Sequence, residues 1–238
     1  MNLDNIVWNK NTYNEFIKYL LELKDESYKN FHFKLLKNDE ISVIGIRTPL
    51  LKEIAKKISK TDYLEFIKLN KHKYYEETIL HGLVITYVKT EFEESIKLFN
   101  EYIKYIDNWA SCDIVISNYK IFKKNLDLGF KYINNYLNNK NPWINRVGIV
   151  LLLNYYINNL YIDKILNICN NIKTNDYYVK MSIAWLISIC LIKYYDKTYN
   201  FLQNNKLDDW THNKAIQKAI ESYRIKNKEE IKKLKRLK

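Results

Sequence analysis

The chain has 238 residues, of which 47% are hydrophobic and 28% charged, so it can bury a sizeable core and is not a disordered polyelectrolyte. Only four glycines and two prolines occur, whereas a β-sandwich or barrel needs turn residues every ~8–12 positions, so the composition favours helices. The net charge of +12 indicates a polyanionic partner, usually nucleic acid and sometimes a membrane surface. A second explanation stays open, because codon bias in an AT-rich genome also produces heavy use of Lys, Asn, Ile and Tyr.

Several kinds of site are excluded by their missing motifs. The scattered glycines form no Walker A loop and no dinucleotide-binding fingerprint, and there is no GxSxG elbow. The histidines show no ligand spacing, so we interpret His81, four residues after Glu77, as half of a helix-face pair. Three cysteines without CxxC spacing, Cys112, Cys169 and Cys190, are expected in the core. We therefore expect no cofactor and no metal.

The hydrophobic runs are too short for a membrane protein. The longest candidates lie near Val147–Leu153 and Met181–Ile192, well below the roughly 18 residues that span a bilayer. The first ten residues, MNLDNIVWNK, lack the basic and apolar regions of a signal peptide. We expect a cytoplasmic protein with no membrane segment.

Helix starts are indicated by capping residues. Thr12 with Glu15 matches a capping box, and Thr48 before Pro49 matches an N-cap with proline at the first helical position. Two helix pairs are predicted over 48–70 and 74–105. The stretch Asn38–Gly45 is predicted as the longest non-helical connection.

Helix caps then recur with a period. Long amphipathic segments follow four residues at intervals of 33, 34 and 34: Asn108, Asn141, Asn175 and Asp209. Shorter helices are predicted between them, roughly over 126–138, 160–171 and 195–205. This period is typical of helical-repeat solenoids, and because the TPR consensus is absent we expect a HEAT-like array. We predict a single all-α domain over 1–238 with about 12–14 helices, ending in a basic helix or tail at Lys226–Lys238.

A solenoid aligns equivalent positions across its concave face. Five residues after the predicted caps lie four charged residues, Asp113, Arg146, Lys180 and Lys214. If half of the exposed positions are charged, about 6% of such columns arise by chance, so the column carries little weight alone. Its order matters more, since one acid beside a cationic series places a reactive carboxylate next to a bound polyanion.

The segment IDNWASCD (Ile106–Asp113) combines an indole and a carboxylate. With Asn108 as N-cap, Trp109 begins a helix and Asp113 follows one turn later, so we expect the two side chains to be neighbours. Structural interpretations compete: a tryptophan at a helix start often packs into the core, and Asp113 can interact with the helix dipole or with solvent. Trp185 has apolar sequence neighbours, which indicates a core position.

Six segments share their order and spacing with a known family. They are RTPLLKEIAKKI (Arg47–Ile58), EETILHGLVITYVK (Glu76–Lys89), IDNWASCD (Ile106–Asp113), NRVGIVLLLNYYI (Asn145–Ile157), YYVKMSIAWLIS (Tyr177–Ser188) and NNKLDDWTHNKAIQKAIESYRI (Asn204–Ile225). Together they resemble the DNA alkylation repair enzymes of the AlkD-like, HEAT-repeat family. The resemblance implies a curved all-α solenoid whose concave basic groove holds double-stranded DNA.

The resemblance also implies an activity. Members of that family are DNA glycosylases that hydrolyse the N-glycosidic bond of cationic alkylated purines, such as N3-methyladenine and N7-methylguanine, without base flipping. It implies a catalytic acid at Asp113, sugar-contacting tryptophans at Trp109 and Trp185, and a phosphate contact at Arg146. The charged column adds two DNA-binding candidates, Lys180 and Lys214. We expect a monomer that is nucleoid-associated during repair.

Two alternatives stay open. A non-catalytic HEAT-like DNA-binding protein would keep the cationic column without needing Asp113. A protein-interaction scaffold is also possible, because a fold does not fix a function.

Overall fold

The computed structural model describes residues 1–36, 40–137 and 139–238. These ranges hold fifteen α-helices, one 3-10 turn, one π-helical turn and no β-strand, which confirms the all-α prediction. The helix number exceeds the predicted 12–14 because short elements such as Ile121–Lys124 are helical. Within the same ranges no helix combines the length and the apolar character needed to cross a membrane.

The chain divides into two compact units, Met1–Ile121 and Phe122–Lys238, and a single domain over 1–238 stays a prediction. The first unit contains α1 (Lys10–Glu22), α2 (Glu26–Leu36), α3 (Thr48–Ile58), α4 (Tyr63–Leu69), α5 (Tyr75–Tyr87), α6 (Phe92–Tyr102), the 3-10 turn Ile103–Tyr105 and α7 (Trp109–Asn118). After α8 (Ile121–Lys124), which begins at the boundary, the second unit contains α9 (Leu126–Tyr136), α10 (Pro142–Leu151), the π-helical turn Leu152–Tyr156, α11 (Ile162–Asn171), α12 (Tyr177–Lys193), α13 (Tyr195–Gln203), α14 (Asp209–Ile220) and α15 (Lys228–Lys235).

Alternate helices stack within each unit. In the first unit α3 packs on α5 and α5 packs on α7; in the second, α10 packs on α12 and α12 packs on α14. The shorter helices α9, α11 and α13 lie beside these layers, as the sequence predicted. This arrangement is consistent with helical repeats, while a curved solenoid with a concave basic groove stays a prediction.

The four periodic helices begin within two residues of their predicted caps. The observed N-cap residues are Asn108, Asn141, Asp176 and Asp208, whose side chains accept a backbone N–H of the first turn. The predicted caps Asn175 and Asp209 were therefore each wrong by one residue. The intervals between the observed N-caps are 33, 35 and 32 residues.

Two earlier caps also differ from the prediction. Asn9 is the N-cap of α1, and the Thr12 hydroxyl accepts its backbone N–H at 2.9 Å. Thr48 is already helical, with Arg47 in the cap position. The predicted connection Asn38–Gly45 is non-helical from Glu40 onwards, and Asn38 and Asp39 lie outside the described residues.

Helix α5 begins with two buried acids. The Glu76 carboxylate accepts the backbone N–H groups of Ile44, Gly45 and Ile46 at 2.9, 2.7 and 3.1 Å. Glu77 accepts the Tyr13 hydroxyl and, at 2.8 Å, the Tyr74 backbone N–H. Full hydrogen bonding offsets the cost of burying these groups, and the positive end of the helix dipole favours their charge.

Close approach of α5 to α7 depends on a glycine. A Cβ atom at Gly82 would overlap the Val115 methyl group on α7 and the Tyr102 ring on α6. The three cysteines lie in the core as predicted, and all are free and buried. Burial raises the pKa of the Cys190 thiol to about 12.

The expected pair between Glu77 and His81 is absent, because Glu77 is bonded elsewhere. His81 Nδ1 lies 3.3 Å from His72 Nε2 instead, and His72 Nδ1 lies 3.2 Å from the Thr78 hydroxyl oxygen. Burial lowers the pKa of His72 to about 4. Burial and the neighbouring imidazole lower the pKa of His81 to about 3.

This pair predicts acid sensitivity. In the unfolded chain both imidazoles bind protons below about pH 6.5, whereas the folded protein keeps them neutral, so stability is complete above that pH and falls towards pH 4. We expect a loss of about 1–3 kcal/mol between pH 6.5 and 5 from the pair. Urea unfolding of the wild type and of His81→Gln at pH 7.5 and 5.0 measures it. Equal losses in the two proteins would contradict the assignment.

Candidate functional site

Hydrogen bonds among buried residues hold the first turn of α7 in place. Asn108 Oδ1 accepts the Ser111 backbone N–H at 2.9 Å, and the Ser111 hydroxyl donates to the Asn108 carbonyl at 3.0 Å. The Tyr102 hydroxyl then donates to the Ser111 carbonyl at 2.8 Å. Because these three residues are buried, they set the direction of the helix on which Trp109 and Asp113 lie.

Trp109 lies partly exposed against α2. Its indole Nε1 donates to the Leu35 carbonyl at 3.3 Å, and its ring centroid is 6.3 Å from that of His32. This position is intermediate between a core wedge and an open platform, because the indole edge is held while part of the ring stays accessible. Asp113, one turn further along α7, is also partly exposed.

An aromatic cluster around His32 was missed by the sequence analysis. Tyr28 stacks on His32 with ring centroids 5.4 Å apart, and Tyr75 lies 4.8 Å from His32. The Arg47 guanidinium lies 5.1 Å from the Tyr28 ring centroid and pairs with Asp25 at 2.8 Å. The four-residue spacing of Tyr28 and His32 on α2 was the available signal.

Two polar atoms of this cluster are unsatisfied. His32 Nε2 and the Tyr75 hydroxyl are buried and have no hydrogen-bond partner among the described residues. Burial raises the pKa of Tyr75 well above its ordinary value, with smaller effects from Tyr28 and Glu76, so the hydroxyl keeps its proton. An unsatisfied buried donor costs about 1–3 kcal/mol, which a bound water or ligand would offset.

In the second unit, Arg146 is buried, with 4% of its surface exposed. Its Nη1 donates to the Tyr178 carbonyl in the first turn of α12 at 2.7 Å. The guanidinium is therefore held between α10 and α12. A contact between Arg146 and a DNA phosphate stays a prediction.

Lys180 is neutralised by a neighbour. Its Nζ lies 2.7 Å from Asp208 Oδ1 and 5.2 Å from the Trp210 ring centroid. Burial alone would raise the pKa of Asp208, but hydrogen bonds from Lys180 and Thr211 lower it. The positive charge of Lys180 is thus already paired, and a phosphate contact at Lys180 stays a prediction.

A second missed residue is Lys218, four residues after Lys214 on α14. Burial and the positive charges of Lys214 and Arg146 lower the pKa of Lys218, against the opposing effect of Glu221. Lys214 Nζ donates to Gln217 Oε1 at 3.2 Å. Arg146, Lys214 and Lys218, which we call the cationic cluster, thus share one neighbourhood. Gathering like charges costs stability in the absence of an anion.

Trp185 is partly exposed, so its interpretation as a core residue was wrong. Nine of the seventeen residues of α12 are buried. Four of the partly exposed ones, Tyr178, Met181, Trp185 and Ile189, follow one another at helical spacing, and we call them the open stripe of α12.

The charged column does not share one helical phase. Counted from the observed N-caps, Asp113 and Arg146 lie five residues on, Lys180 four and Lys214 six. Each one-residue shift rotates a side chain by about 100° around the helix, so the predicted alignment was wrong for the two lysines. No group of three His, Cys, Asp or Glu side chains that could hold a metal ion occurs within the described ranges.

Comparison with known families assigns most of the chain to a family model. A family model described as DNA alkylation repair enzyme matches residues 14–221, most of the chain. A comparison with curated proteins finds no match.

The unsatisfied Tyr75 hydroxyl yields a stability prediction. We expect Tyr75→Phe to leave the free energy of unfolding unchanged or to raise it by up to about 1 kcal/mol, because the variant removes a donor without a protein partner. Tyr102→Phe, which removes the bond to the Ser111 carbonyl, should cost about 1–2 kcal/mol. Urea unfolding compares the two variants, and an equal loss in both would reveal a protein partner for Tyr75.

Proposed function

Because the chain belongs to the DNA alkylation repair enzyme family, we propose that it is a DNA glycosylase. Its substrates are cationic alkylated purines in duplex DNA, N3-methyladenine and N7-methylguanine, and it hydrolyses their N-glycosidic bond without base flipping. The observation that carries the proposal is the fixed first turn of α7, which presents Trp109 and Asp113 in a chain of this family.

The proposed reaction needs few groups. An alkylated purine already carries a positive charge and leaves as a neutral base, so it requires no general acid. What must be stabilised is the positive charge that develops on the sugar in an oxocarbenium-like transition state, together with the position of the attacking water. One carboxylate and aromatic faces supply both.

Each proposed catalytic residue has a matching feature. Asp113, partly exposed, positions the water and offsets the sugar charge. Trp109, with its indole held by the Leu35 carbonyl, and Trp185, on the open stripe of α12, offer π faces to the deoxyribose. These roles follow from the family resemblance, and the accessibility of the three side chains supports them.

Phosphate binding is assigned to the cationic cluster. Lys214 and Lys218 are partly exposed on one face of α14, and Arg146 adds a held charge nearby. A phosphate would relieve the repulsion between the two lysines, and such contacts release counterions, so affinity falls steeply with salt. Lys180 contributes less because Asp208 already neutralises it.

The role of Asp113 can be separated from binding. We expect Asp113→Asn to bind duplex DNA as well as the wild type or better, because it removes a negative charge beside phosphates. Base release from N7-methylguanine duplex should fall by about 10–1000-fold, the usual scale for losing one electrostatic group. Single-turnover base release and duplex affinity are measured side by side.

The charge-matched control for this experiment is Asp107→Asn. Asp107 is exposed six residues earlier, and its Oδ1 accepts the Asn108 side-chain amide at 2.6 Å. Because the Asn oxygen can accept the same bond, this variant should keep base release. If the wild type binds alkylated duplex but releases no base, the glycosylase proposal is falsified and a non-catalytic DNA-binding protein becomes the better assignment.

The cationic cluster predicts a difference between two lysines. Lys218→Ala should weaken duplex affinity and reduce the slope of log K against log salt by about 0.9, the value for one phosphate contact. Lys180→Ala should change both quantities less, because its charge is already paired with Asp208. Salt titration of the two variants provides the comparison. A larger effect at Lys180 would contradict the assignment.

A further inference from the structure

The last seventeen residues, 222–238, form a strongly basic segment beyond the family match, which ends at residue 221. They contain two acidic residues, Glu229 and Glu230, and eight basic ones, Arg224, Lys226, Lys228, Lys232, Lys233, Lys235, Arg236 and Lys238. Their net charge of +6 is half of the +12 carried by the whole chain. We call residues 222–238 the basic segment.

The basic segment is held in place by contacts that do not use its charges. Leu234 is fully buried and Ile225 is 8% exposed. The Tyr195 hydroxyl on α13 donates to the Glu230 carbonyl at 3.3 Å, and His212 Nε2 on α14 lies 2.8 Å from the Leu237 carbonyl oxygen. Apolar burial and hydrogen bonds from two side chains to backbone carbonyls therefore hold the basic segment against α13 and α14.

The charges themselves point outward. All eight basic residues are exposed, and none forms an ion pair within the part of the chain that the structure describes. The Arg224 guanidinium lies 5.6 Å from the ring centroid of Tyr223, which is itself 79% exposed. A fixed scaffold thus presents a series of unpaired cations and one open aromatic ring, an arrangement whose self-repulsion a polyanion would relieve.

We propose that the basic segment is a second duplex-DNA contact, in addition to the cationic cluster. The proposal rests on the proposed function, and it assigns to the segment affinity for the phosphate backbone without sequence or lesion preference. Such a contact would keep the protein on undamaged DNA while the lesion is sought. It would leave the chemical step unchanged once the substrate is bound.

A DNA backbone fits this surface better than a membrane does. A helix that lies on a bilayer needs an exposed apolar face next to its cationic one. In α15 the apolar residues are Ile231, which is partly exposed, and Leu234, which is buried in the protein. Every fully exposed residue of α15 is charged, and four of the five are lysines, which suit the regular phosphates of a duplex.

The test neutralises four exposed lysines of α15 and keeps Leu234. The variant combines Lys228→Gln, Lys232→Gln, Lys233→Gln and Lys235→Gln. We expect its affinity for plain and N7-methylguanine duplex to fall by about 10–100-fold at low salt, with a salt slope reduced by about 2–3, since each phosphate contact adds about 0.9. Single-turnover base release at saturating protein should stay at the wild-type rate.

A control variant with the same change in charge comes from exposed lysines that are already paired with acids. They are Lys68, Lys97, Lys104 and Lys197, each changed to Gln. Their loss of affinity should be at most a few-fold. Thermal melting of both variants checks that each is folded.

The outcomes separate this inference from the proposed function. If the α15 variant binds duplex like the control, the second contact is overturned even though base release persists. If anionic vesicles bind the wild type more tightly than duplex does, at equal salt, the inference is also overturned. If the α15 variant loses affinity while the wild type releases no base, the second contact stands and the glycosylase proposal fails.

Discussion

The three hydrogen bonds to the Glu76 carboxylate are the constraint on which the first unit depends. They fix the connection before α3 at Gly45, whose φ of 104° is accessible mainly to glycine. The Gly45 carbonyl in turn accepts the Asp25 backbone N–H at 3.0 Å, just before α2. Because α2 supplies the Leu35 carbonyl and the His32 ring that contact Trp109, a buried acid at the start of α5 determines where the indole can lie.

The positions at which helices begin could be predicted from the sequence, but the long-range partners of side chains could not. A cap is a local signal, so each periodic helix was placed to within two residues, and the errors at Asn175 and Asp209 arose because the preceding or following residue could also cap. Partners were unpredictable where the contact spans repeats. Asp208, which neutralises Lys180, lies 28 positions after it in the sequence. Tyr13, which binds the carboxylate that was expected to pair with His81, lies 64 positions before Glu77. Helical spacing carries no information about such contacts.

Satisfied and unsatisfied polar groups are distributed unevenly in this molecule. Glu76 and Glu77, both buried acids, are fully hydrogen-bonded, and Lys180 has its acid. By contrast, Tyr75 and His32 keep unsatisfied polar atoms near Trp109, and the like charges of Lys214 and Lys218 lie one turn apart on α14. The chain accepts a cost in stability at these two places. Such local violations of folding rules concentrate at functional sites.

The burial of the three cysteines affects how the protein itself reacts with alkylating agents. Electrophiles that methylate purine nitrogens also attack sulfur, and the thiolate is the reactive form. Cys112, Cys169 and Cys190 are all inaccessible, and burial holds the pKa of the latter two thiols far above their ordinary value. The protein therefore exposes no soft nucleophile from its cysteines to the reagents whose damage it would repair. The packing that holds α7, α11 and α12 in their units thus also keeps the three thiols away from such reagents.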